Sequence, residues 1–199
     1  MAFISNGTTI LDNGAFSASL GSLVFISEQT ASSSASVSFT TGIDSTYPIY
    51  KFEFIDIHPS SNDVNFQFNM STDGGSNYNV TKTTTFFQGY HTEAGAGSLA
   101  YDGGRDVAQS TGNASITREI GNLNDESTAG NLFLFNPSST TFVKHYISRF
   151  QDYSHADAAV DSNSAGYGNT TSAVDAIRFS FLSGNIDSGT IKLYGIKDS

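Results

Sequence analysis

The chain has 199 residues, 19 Asp and Glu against 9 Lys and Arg, a net charge of −10 and no cysteine. That length supports one domain, which buries roughly 70% of the surface its unfolded chain exposes, and the missing thiols exclude disulfide scaffolds, thiol catalysis and Cys-ligated zinc. The cations are spread from Lys51 to Lys197, so nucleic-acid binding is not expected, and no apolar run is long enough for membrane insertion as a helix.

The surface chemistry is neutral: 14% of residues are charged, while 30 Ser and 20 Thr make up about a quarter of the chain. A Ser/Thr/Asn/Gly surface over Phe, Ile and Val reads as β-sheet with many turns. Such compositions are common outside cells, yet MAFISNGTTI has no basic n-region and no sustained apolar stretch. The expectation is therefore an outward-facing protein made in a cytoplasm without an export signal.

Residues 1–21, broken by Gly7, Asn13-Gly14 and Gly21, read as an extended N-terminal arm ahead of a single domain over 22–199. From Leu23 the period is two. IYKFEFIDI (49–57) puts Tyr50, Phe52 and Phe54 on a core face. VNFQFNM (64–70) alternates strictly and predicts a half-buried strand, and Asp73–Gly75 turns it into a hairpin with Tyr78–Thr81. Thr83–Phe87 predicts another strand. The Gly- and Ser-rich section 88–130 predicts a loop with a short strand near Ser115–Ile120. NLFLF (131–135) is apolar on both faces, as a central strand is. In TFVKHYISRF (141–150), Val143, His145, Ile147 and Arg149 share one face. Residues 151–172 read as a polar loop, AVDAIRFSFL (173–182) buries Ile177, Phe179 and Phe181, and Thr190–Ile196 is the last strand. Nine to eleven strands and no helix mean an all-β antiparallel sandwich or jelly roll.

Catalytic and metal motifs are not evident. The four histidines, His58, His91, His145 and His155, stand at no metal-ligand spacing. Glu53 and Asp56 point to opposite faces of one strand, Asp102 and Asp106 flank Arg105 in a turn suited to an ion pair, and Asp125-Glu126 reads as a solvated loop; a non-enzyme is expected. Calcium is the one plausible cofactor, with oxygen ligands from Asp73, Asn77, Asp102 or Asp187, against the usual role of such residues in closing their own turns. Tyr90, Tyr101, Tyr153 and Tyr167, read as loop tyrosines, are the candidates for stacking on a glycan, although the chain has no Trp. The N-x-[ST] sequons at Asn6, Asn69, Asn79, Asn113 and Asn169 follow from the abundance of Asn, Ser and Thr.

The segments YKFEFIDIHPSS (50–61), FQFNMSTDGGSNY (66–78), GNLFLFNPSSTTFVKHYISR (130–149) and SGNIDSGTIKLYGIK (183–197) resemble small jelly-roll virion surface proteins of marine and cyanobacterial tailed bacteriophages, of tail-fibre, head-fibre or decoration type. The resemblance implies a sandwich of jelly-roll type on the virion surface, made in the bacterial host cytoplasm and released by lysis. It also implies a homo-oligomer, a trimer by first expectation, bound to other virion proteins: through its N-terminal arm if a decoration or head-fibre protein, or displaying the loops 88–130 and 151–172 to a host glycan if a tail-fibre tip. It brings no catalytic residues, and it leaves head and tail locations both open.

Overall fold

The computed structural model describes residues 3–5, 8–12, 15–16 and 22–197. In that range it is all-β and antiparallel. Within the expected arm, β1 (Phe3–Ser5), β2 (Thr8–Asp12) and β3 (Ala15–Phe16) form a small sheet of their own, and the rest of 1–21 lies outside the described residues. The body then runs β4 (Leu23–Ser34), β5 (Val37–Phe39), β6 (Ile49–Pro59), β7 (Phe66–Ser71), β8 (Lys82–Thr92), β9 (Gly97–Tyr101), β10 (Ala114–Ser115), β11 (Thr128–Phe135), β12 (Lys144–Ser154), β13 (Ala158–Gly168), β14 (Ala176–Phe181) and β15 (Ile186–Ile196). Eight of these form one sheet, in the order β4-β15-β6-β11-β12-β13-β8-β9, and four form the facing sheet, in the order β10-β7-β14-β5. The result is a β-sandwich of unequal layers.

Alternation of large apolar residues sets the core. Tyr50, Phe52 and Phe54 of β6, Leu132 and Leu134 of β11, and Ile191 and Leu193 of β15 point inward from the large sheet and are buried. Phe66, Phe68, Ile177 and Phe179 meet them from the small sheet. Phe179 sits at the centre, with ring centroids 4.9 Å from Phe54, 5.3 Å from Phe52 and 6.0 Å from Phe66. The pairs with Phe54 and Phe52 are edge-on and the one with Phe66 is stacked, contacts that add to the burial of the rings themselves.

Across the large sheet the inner face changes character. From β12 to β8 the buried positions include Lys144, Ser148, Asp152, Ser162, Ser164, Lys82, Thr84 and Gln88. This corrects the reading of 151–172 as a polar loop: β12 runs on to Ser154, and β13 pairs along its whole length with β12 and β8. Its inward residues are small because the backbones are close. A Cβ on Gly166 would lie 2.4 Å from the carbonyl oxygen of Thr83.

Other local expectations change as well. Gln67 and Asn69 of β7 are buried rather than solvated, because Gln67 Nε2 donates to Ser115 Oγ and Asn69 Nδ2 to the carbonyl of Thr111. Residues 78–81 form no strand, and the next strand, β8, joins the opposite sheet, so Asp73–Gly75 makes no hairpin. The strand expected over 115–120 shrinks to Ala114–Ser115, and the section read as loop from residue 88 opens with the end of β8 and with β9. Glu126, read as solvated, is buried and accepts from the N–H of Leu123.

The final strand lies inside the sheet, between β4 and β6. Gly195 marks a close approach: a Cβ there would lie 2.2 Å from the Tyr47 ring. Replacing Phe179 by Ala should cost about 3–5 kcal/mol, read as a lower midpoint in urea unfolding. The exposed Phe142→Ala should stay within about 0.5 kcal/mol.

Candidate functional site

The outward face of the large sheet is built from the residues that alternate with the core. Register places Phe25, Tyr194, Lys51, Phe133, Ile147 and Ala165 in one cross-strand row, from β4 across β15, β6, β11 and β12 to β13. In the adjacent row Ile196 stands beside Ile49 and Ile49 beside Phe135, while His145 stands opposite Tyr167. A third row holds Lys192, Glu53, Asn131, Arg149, Asn163 and Phe87. Phe25 and Ile147 are 54% and 53% exposed, far more than large side chains in a monomer's interior layers.

These side chains engage one another in the plane of the sheet. Phe133 and Phe135 stack, Phe25 meets Tyr194 edge-on, and the Lys51 ammonium lies 5.9 Å above the Phe133 ring centre. Lys51 also donates to Glu53, which holds that carboxyl below its ordinary value, and Arg149 forks onto Asp161 with the same effect. Phe135, His145, Ile147, Ala165 and Tyr167 line an open depression of about 490 Å³ on this face. The face thus carries mostly apolar side chains along two rows, with Lys51 set in the first, and mostly polar ones along the third.

A second cluster closes one end of the sandwich. Arg105 donates to the carboxylates of Asp102 and Glu119, and Arg118 lies 3.0 Å from the other Glu119 oxygen with its guanidinium over the Tyr90 ring. Glu119, Asp63 and His155 bring one ligand-type atom each to within 4.8 Å of one another. Two guanidinium groups already neutralise Glu119, so the donor set suits a clamp between loop and strand better than a cation site. Spacing in the chain could not reveal this grouping, because its members come from three separate turns.

The tyrosines named as glycan candidates lie on strands, not loops: Tyr90 on β8, Tyr101 on β9, Tyr153 on β12 and Tyr167 on β13. They do not converge. Tyr90 sits under Arg118, Tyr101 donates to the Asp106 carboxylate at the sheet edge, and Tyr153 lines a depression with Glu93 and Asp157. By register Tyr101, Tyr153 and Tyr167 stand on the outward face, on separate strands, and Tyr90 is on the inner side beside Val160. The calcium candidates are dispersed too. Asp73 and Asn77 close one turn, whose hydrogen bonds, led by the Asn77 side chain, pull Asp73 down to about 2. Asp102 binds Arg105, and Asp187 accepts from Ser33. His58 binds the Glu126 carbonyl and His155 contacts Asp63. No protein-family model matches this chain, and no curated protein is detectably similar to it.

Sequence reasoning missed the buried charges. Asp152 is fully buried and accepts from Ser162 Oγ at 2.5 Å, Thr128 Oγ1 at 2.6 Å and the Arg118 N–H at 3.1 Å. Burial pushes its pKa up from 3.8 to about 6 against the pull of these donors. Burial also draws Lys82 down to about 8, with its ammonium on Asn69 Oδ1 and the Val80 carbonyl.

Because the folded pKa of Asp152 lies above the unfolded one, its stabilising effect is complete below about pH 4 and is lost as pH rises through about 6. Unfolding free energy should therefore rise between pH 7.5 and 4.5, by on the order of 2–3 kcal/mol from this group. Urea titrations across that range should show the slope in the native chain and a flat profile in Asp152→Asn. An equal slope in both would place the dependence elsewhere.

Proposed function

We propose that this chain is a non-enzymatic structural protein on the surface of a tailed-phage virion, a tail-fibre, head-fibre or capsid-decoration component acting in assembly and host adhesion. The observation that carries the reading is the outward face of the eight-stranded sheet. Two largely apolar rows run across it, Phe25 and Ile147 more than half exposed and Phe133, Phe135, Tyr194, Ile49 and Ile196 partly buried, although the core between the sheets is already complete without them. A contiguous apolar patch of this kind marks a surface meant to be covered by another molecule. Several carboxylates are engaged in ion pairs within the chain: Asp102 and Glu119 with Arg105 in a half-buried cluster, and Asp161 with Arg149 on the exposed face.

The jelly-roll part of the reading is supported by strand order. Sheets β4-β15-β6-β11 and β10-β7-β14-β5 face each other, and the chain crosses from one to the other at β4 to β5, β5 to β6, β6 to β7 and β14 to β15. That order agrees with the winding expected of two interlocked Greek keys, with β12, β13, β8 and β9 widening one sheet. The segments that resemble phage surface proteins supply β6, β7, β11 and β15, strands that define this winding.

A carbohydrate-binding or receptor-binding tip is the second reading. It is favoured by Tyr167, which stands beside His145 at 6.4 Å between ring centres in the open depression. Aromatic and polar groups together are what a sugar ring needs.

Antibodies against the purified chain are expected to label intact particles of the phage that encodes it, and purified particles are expected to contain the chain in many copies. Particles free of it would sink the proposal. On a glycan array, binding that Tyr167→Ala abolishes and Tyr90→Ala leaves intact would select the second reading.

A further inference from the structure

The charge of the outward face selects what covers it. Glu28 and Glu53 stand in its rows with Lys51, Arg149 and Lys192, and Asp161 and the exposed Asp56 adjoin them, four carboxylates against three cations. Nearly all of the net charge of −10 therefore lies on the rest of the molecule. Two copies approaching by another side meet like charge, whereas this face presents a nearly neutral, largely apolar surface. We propose that it is occupied by the same face of a second copy of this chain, about a two-fold axis that runs along β11.

The rows are self-complementary about that axis. Phe133 and Phe135 lie on it and meet their own counterparts. Glu53 on β6 and Arg149 on β12 both stand opposite Asn131 of β11, one on each side. The rotation lays β6 of one copy over β12 of the other, so Glu53, held by Lys51, meets the second copy's Arg149, held by Asp161, and the two pairs join into one charged network that forms twice. Farther out, the bulky Tyr194 and Phe25 of β15 and β4 turn toward the half of the sheet that holds Ala165 and Thr85. Packed sheets cross at about 30°, so the match is strictest next to the axis.

The size fits. Seven strands about 4.8 Å apart and three outward rows about 6.7 Å apart span roughly 30 Å by 20 Å in plan. Once side-chain relief is included, this approaches the ~800 Å² per partner of a standard interface. Such a contact is isologous and closes as a dimer, in place of the threefold association that the resemblance suggests. The assignment rests on reading this face as a docking surface, not on where a particle carries it.

Sedimentation velocity of the full chain tests it. The native protein is expected to sediment as a dimer at micromolar concentration, and Ile147→Glu as a monomer with an unchanged circular dichroism spectrum. Glu53→Arg and Arg149→Glu should each weaken the dimer by on the order of tenfold, and the double variant should recover it. Leu182→Asp, outside the face, should leave it alone. A native monomer, a trimer, or a dimer indifferent to Ile147→Glu would overturn the proposal. A monomer that labels particles, and loses the labelling on Ile147→Glu, would overturn the second-copy assignment and keep the docking surface.

Discussion

The structure follows from a mismatch in width. An eight-stranded sheet is about 34 Å across and a four-stranded one about 14 Å, so the small sheet cannot cover the inner face of the large one. Where it does cover, on β4, β15, β6 and β11, the interior is packed phenylalanine, isoleucine and leucine. Toward β12, β13 and β8 the lid is irregular chain instead, and irregular chain carries backbone groups that need partners. The inner face there accordingly mixes Tyr146, Phe150, Phe86 and Val160 with buried serine, threonine, lysine and aspartate.

The buried charges are consequences of that lid. Lys144 caps the carbonyls of Ser139, Phe142 and Thr170, oxygens that the connection after β11 and the one after β13 leave without a ladder. Lys82 does the same for Val80. Asp152 works in the opposite sense, accepting the Arg118 N–H as the 116–121 segment crosses the end of β12. Each ion lacks a charged partner and is held by dipoles, an arrangement whose desolvation cost shows in the directions of the Lys82 and Asp152 shifts. Conformational specificity is the return: these groups determine where the loops lie.

This division also explains what could be read from the chain. β6, β11, β14 and β15 were legible because their inward residues are large and apolar: Phe52, Phe54, Leu132, Leu134, Ile177, Phe179, Ile191 and Leu193. β13 was not, because Val160 is its one large inward residue, and Ser162, Ser164, Gly166 and Gly168 read as loop by every propensity scale. Tertiary pairing on both edges overrides that preference. The outward face was half legible. His145, Ile147 and Arg149 were placed together, yet their alignment with Phe133, Tyr194 and Phe25 depends on the strand order β4-β15-β6-β11-β12, which periodicity cannot supply. The Arg105–Glu119–Arg118 clamp was opaque for the same reason, since only the fold brings Asp63 and His155 beside it.

The stretch from Ser183 to Lys197 gains a different meaning from its position. β15 is inserted between β4, the first strand of the sandwich, and β6, so the apolar half of the large sheet has a gap until the last residues of the chain arrive. Gly189, at φ 125°, lets the strand pass the Asp56 carbonyl, where a Cβ would approach to 2.7 Å, and Gly195 admits the Tyr47 ring. Pairing of the two ends of the body spans some 160 residues, and that loop closure must precede the reward of burial. Before closure, β4 and β6 both present open edges beside Phe52 and Phe54. The glycines and the alternating Ile191 and Leu193 are therefore a closing device for the sheet, and the outward residues of that same strand, Lys192, Tyr194 and Ile196, complete the external face in the same step.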